Sequence, residues 1–106
     1  MKGPPEFEEA MHDIYVIAKR DAGYNAKVFI QMLHERGGLS TAKYLINALQ
    51  PSEGYTHLFE RGRLDLTVEA RIVDNPQWHH LFTATELDRA RKRLEKYGYV
   101  LKRQGS

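Results

Sequence analysis

The chain reads as all-α: a compact single-domain bundle of about five to six short helices. Three observations lead there. Apolar residues recur at three- and four-residue spacing, glycines and prolines punctuate those stretches, and only one stretch alternates like a strand, leaving it nothing to pair with. A length of 106 residues suits one domain, with no linker or internal repeat to divide it. Residues 1–6 read as a flexible lead and residues 103–106 as a frayed tail.

After Pro4-Pro5, the residues Phe7, Met11, Ile14 and Ala18 form one apolar stripe, with Ile17 beside it. Glu6, Glu8 and Glu9 suit the positive end of that helix, Lys19 and Arg20 its negative end, and Gly23 stops it. Asn25 is placed to cap a second helix carrying Val28, Phe29, Met32 and Leu33, which Gly37-Gly38 ends. Ser40 is placed to cap a third, with Tyr44, Leu45, Ala48 and Leu49 inward, before Pro51. Residues 53–61 fit a short helix with Tyr55, Leu58 and Phe59 inward. Over 64–73 the alternation of Leu64, Leu66, Val68, Ala70 and Ile72 argues strand, whereas Leu64, Val68 and Ile72 alone also satisfy a helix. The missing partner strand decides for helix. Asn75-Pro76 breaks the chain and Trp78, Leu81 and Phe82 form an aromatic plug. Thr83 to Glu86 reads as a capping box, opening a last helix with Leu87, Ala90, Leu94 and Leu101 inward and Tyr97 at its flank.

A family resemblance rests on Tyr24-Asn25-Ala26, Phe29-Ile30-Gln31-Met32, Gly37-Gly38, and above all Gly54-Tyr55-Thr56 with the run from Leu58-Phe59-Glu60-Arg61 to Val68-Glu69. Leu81-Phe82-Thr83, Glu86-Leu87 and Tyr97-Gly98-Tyr99 extend it. In these residues the chain resembles a family of small uncharacterised bacterial helical domains, over roughly residues 10–99. Relatives often carry Trp where Phe59 stands. The resemblance implies a helical fold and a bacterial source, and it brings no catalytic residues.

Cysteine is absent, so neither disulfides nor thiolate metal sites form; this fits a reducing compartment, and a cytoplasmic location is expected. No apolar run approaches the roughly 20 residues that span a bilayer, and the first residues hold no signal-peptide core. No membrane partner is expected. Glu60, Asp65 and Glu69 group three carboxylates among Arg61, Arg63 and Arg71, and mutual pairing explains them better than a metal-dependent hydrolase. The histidines His12, His34, His57, His79 and His80 lack the spacing of a zinc helix. With no nucleophile elbow and no phosphate loop either, the chain is read as a non-enzyme without catalytic, metal or cofactor residues.

Two binding readings remain. Tyr55, Phe59, Arg61 and Arg63 are the candidate contacts for a protein partner or a second copy of the chain, since aromatics and arginine carry interface energy. This interaction module is the favoured function. The alternative is nucleic-acid binding by the basic end. Residues 89–103 carry +6 within a total of +2, leaving the rest at −4, and Arg89, Arg93 and Lys96 fall on one helical stripe. Lys92 flanks it, and Lys102 and Arg103 extend it. A helix-turn-helix over 25–50 offers only Lys43 and Asn47 for contacts, so an ordinary hairpin is expected there.

Overall fold

A computed structural model of the chain describes residues 3–100; the expected roles of Leu101, Lys102, Arg103 and the tail lie outside them. The elements are α1 (Pro5–Ala22), α2 (Lys27–Arg36), α3 (Gly38–Asn47), α4 (Glu53–Glu60), a 3-10 turn (Leu64–Leu66), α5 (Val68–Val73), a second 3-10 turn (Pro76–Leu81) and α6 (Ala84–Lys96). No strand forms among the described residues, so the fold is all-α. The radius of gyration, 12.7 Å, is that of one compact globule.

α1 starts at Pro5, so the lead is shorter than expected. Proline suits a first helical turn, where its missing N–H costs nothing. Phe7, Met11, Ile14 and Ala18 are all buried as the spacing requires, and Gly23 closes the helix in the left-handed region at φ 65°.

Asn25 does not cap α2. Ala26 takes that position without a side-chain bond, while the Asn25 Oδ1 accepts from the Tyr15 hydroxyl at 2.9 Å. None of the α2 side chains is fully buried. Ser40 does not cap α3 either. That helix begins at Gly38, because Glu8 reaches across from α1 and accepts the Gly38 and Leu39 N–H groups at 2.7 and 3.1 Å. The earlier start belongs to a helix that faces inward through Leu39, Ala42 and Ile46, leaving Tyr44 and Leu49 at 55% and 90% exposure.

Residues 64–73 follow neither expected pattern outright. Leu64–Leu66 is a single tight turn, Thr67 accepts the Ala70 N–H as a cap, and α5 follows. Leu64, Leu66, Val68, Ala70, Ile72 and Val73 are all buried, because this segment runs through the interior and packs against α3 and α6. The alternation therefore reflects a centre buried on most sides rather than a pleat. Phe7 meets Trp78 edge-on at 5.4 Å and Phe82 at 5.9 Å, fastening the aromatic plug to α1. The capping box of α6 forms in full between Thr83 and Glu86.

Candidate functional site

Of the four residues expected to make one partner patch, Tyr55 is buried, Phe59 and Arg61 are exposed and Arg63 is half-buried. Tyr55 is 2% exposed and its hydroxyl donates to the Arg93 carbonyl at 3.2 Å; burial raises its phenol well above the ordinary value. It is a core residue. Phe59 stays 42% exposed and leans edge-on against Tyr97 at 5.1 Å. After Phe59 the chain turns back through Gly62 at φ 70°, and the Arg63 N–H closes on the Leu58 carbonyl at 2.8 Å. The two arginines on either side of that turn take different partners. Arg61 donates to the carbonyls of Ala22 and His57 at 3.1 and 3.2 Å and lies over the Tyr24 ring at 5.4 Å. Arg63 forks onto Asp65 with bonds of 3.0 and 3.1 Å.

The basic stripe on α6 is broken at its centre. Arg93 turns inward and donates to the Glu69 carboxylate at 3.0 Å, to the Leu45 carbonyl at 3.1 Å and to the Ala48 carbonyl at 2.6 Å. On a helix of 3.6 residues per turn it lies roughly 40° from Tyr97, at the edge of the packed face. Arg89 and Lys96 remain exposed, and Lys92 pairs with Asp88 at 3.0 Å. Lys43 and Asn47, the contacts a helix-turn-helix would need, both donate to Glu86 at 2.7 and 2.8 Å. Burial alone would raise Glu86, yet Lys43, the Thr83 N–H and Asn47 together bring it down to about 2.

What the structure does assemble is a cavity of about 320 Å³. Its apolar lining comes from Ile14 and Ala18 of α1, Ala26, Val28, Phe29 and Met32 at α2, Tyr55 and Leu58 of α4, and Leu66 and Val68 at the start of α5. Asn25, Lys27 and Glu53 also line it and are exposed to solvent. Tyr24 borders the cavity and is held in a stack, with the His57 ring at 4.8 Å and the Arg61 guanidinium above it.

Glu69 also lines the cavity and is 2% exposed. Burial pushes its carboxyl above the usual range, opposed by Arg93 and by its own backbone N–H. Two further polar lining groups have partners within the chain: the Thr67 hydroxyl donates to the Leu64 carbonyl and the Ser52 Oγ accepts from the Tyr55 N–H. The lining is mostly apolar, with Asn25, Lys27, Ser52, Glu53, Thr67 and Glu69 as its polar members. Sequence reading weighed Glu69 only among neighbouring arginines, whereas its partner comes from α6. An acid inside a segment rich in Leu, Val and Ile was the available signal, since a buried carboxylate needs a cation.

Among the described residues no three histidine or acidic side chains converge where they would hold a metal ion, and no helix is long and apolar enough to cross a membrane. No protein-family model, curated protein or solved structure matches the chain.

Proposed function

We propose that this protein is a non-catalytic interaction module acting in the cytoplasm. Its receptor is the cavity between α1, α2, α4 and α5, which takes up an apolar side chain of a partner protein. One observation carries the reading: an opening of about 320 Å³ with apolar walls, bordered by α2, a helix with no fully buried side chain. Ligand sites are typically concave, mostly apolar and supplied with few polar groups, one of them shifted in pKa. The walls contain no nucleophile beside a base, which favours binding over reaction.

Of the residues first singled out, Tyr55 lines this receptor and Arg61 supports its Tyr24 border, while Phe59 and Arg63 lie outside the lining. The nucleic-acid reading loses its middle cation to Glu69 and has no second observation in its favour. N-acetyl amides of Leu, Met and Phe test the reading, titrated into labelled protein and followed by amide NMR shifts. Shifts clustered at Ala26, Val28 and Thr67 support it, and their loss in Ala26→Leu, which fills the opening, assigns them to the cavity. Absence of any shift at millimolar ligand overturns it.

A further inference from the structure

We infer that the apolar side chain entering the cavity is Leu49 of a second copy of this chain, the two copies exchanging their leucines across a two-fold axis. This rests on the receptor reading above and adds the identity of the partner.

The inserted group is the first argument. α3 ends at Asn47 and α4 begins at Glu53. On the bend between them Leu49 is 90% exposed, more than any other large apolar side chain among the described residues. Its distance from the cavity is bounded by the chain, because Leu45, four residues earlier, and Ser52, three residues later, both line it. Three peptide links span at most about 11 Å, so Leu49 stands close to the lining while its side chain points into solvent. Val28 belongs to the same lining and is 67% exposed. Apolar surface gathered around a concave site marks a place where another molecule sits.

Symmetry is the second. In a two-fold dimer the same patch meets itself, so insertion can occur on both protomers together only if the inserted group and its receptor share one patch. Leu49 and the cavity meet that condition through Leu45 and Ser52. An exposed leucine on the far side of the molecule would instead build an open chain of copies.

Charge is the third. A patch that meets itself must also match its own charges. Lys27 and Glu53 both line the cavity and both are exposed. Lys27 enters none of the ion pairs among the described residues. Glu53, with its side chain 79% exposed, has the His57 ring at 3.4 Å. A rim of one sign would repel its own copy. This rim carries one charge of each sign, so Lys27 of one protomer can meet Glu53 of its partner, and the reverse. Exposed pairs of this kind add little affinity but set which orientation is accepted.

The test is sedimentation of the intact protein over a concentration series reaching millimolar, where a monomer–dimer equilibrium is expected. Leu49→Ala should raise the dissociation constant at least about tenfold, since it removes a buried apolar contact at each of two sites. Its amide spectrum should otherwise match the parent. Ala26→Leu, which fills the opening, should weaken the dimer as well. Lys27→Glu and Glu53→Lys should each weaken it, and an equimolar mixture of the two should restore it, because each variant then offers the other its complement. N-acetyl-leucinamide titrated into Leu49→Ala separates this inference from the reading beneath it. A parent that stays monomeric at millimolar concentration, or a dimer that Leu49→Ala leaves intact, overturns the exchange of leucines. If the amide still shifts Ala26, Val28 and Thr67 in that case, the receptor stands and its partner is a different protein. Failure of both the dimer and the amide shifts overturns the two together.

Discussion

Glu8 caps a helix that is not its own. Its carboxylate takes the Gly38 N–H at 2.7 Å and the Leu39 N–H at 3.1 Å, and with the Gly3 N–H at 2.9 Å it ties the start of the chain to the start of α3. Negative charge at this end also complements the α3 dipole. A Cβ on Gly38 would lie 2.7 Å from Glu8 Oε2 and 3.1 Å from Met11 Cγ, so glycine is what lets the carboxylate approach. Glu8→Ala should cost about 1–2 kcal/mol, as loss of a helix cap does. Gly38→Ala should cost a similar amount by pushing the carboxylate away. If both act through the same contact, their effects in urea unfolding will combine to less than the sum. Full additivity would separate them.

Arg93 and Glu69 make the second expectation. Arg93→Ala leaves a buried carboxylate without its cation, which should cost about 3–5 kcal/mol, and it also strips donors from Leu45 and Ala48. Pairing Arg93→Met with Glu69→Leu removes both charges and should recover much of that loss. Urea unfolding of the two single variants and the double measures the coupling. A double variant no better than Arg93→Ala alone would show that the carbonyl bonds, not the ion pair, are what matters.

Acid titration reports on Glu86. Its folded value of about 2 lies below the ordinary 4.5, so its contribution is present above pH 4.5 and is lost as pH falls from there toward 2. A shift of that size corresponds to about 3 kcal/mol. Glu86→Gln should therefore be less stable than the parent by about 2–3 kcal/mol at neutral pH. The gap should close through the acid window. A constant gap down to pH 2 would contradict the network with Lys43 and Asn47.

Native-state hydrogen exchange should rank the helices by burial. α2, with no fully buried residue, should open at lower free energy than α5, whose Ile72 is 0% exposed. Filling the cavity with Ala26→Leu should raise protection in α2 selectively. Equal protection of α2 and α5 would mean that the border of the cavity does not open separately.

The stripe Phe7, Met11, Ile14 and Ala18 and the Thr83–Glu86 capping box were legible because both depend on spacing within one helix. The start of α3 was not, because its cap comes from Glu8, thirty residues earlier in the chain. The same limit hid the partner of Glu69 and took Arg93 out of the basic stripe: a residue at the edge of a helical face can turn to either side. Tyr55 was read as inward by its period and as a contact by its type, and the period was the better guide. The cavity has no sequence signature, since its walls come from five separate stretches of chain that look individually like ordinary core.

Trp78 packs on Phe7 at the seam between α1 and the second 3-10 turn, and it is not among the residues that border the cavity. Nature has thus placed the molecule's single indole fluorophore away from the opening. Its emission follows whether that seam is closed, so loss of the fold can be tracked optically while occupancy is read by other means.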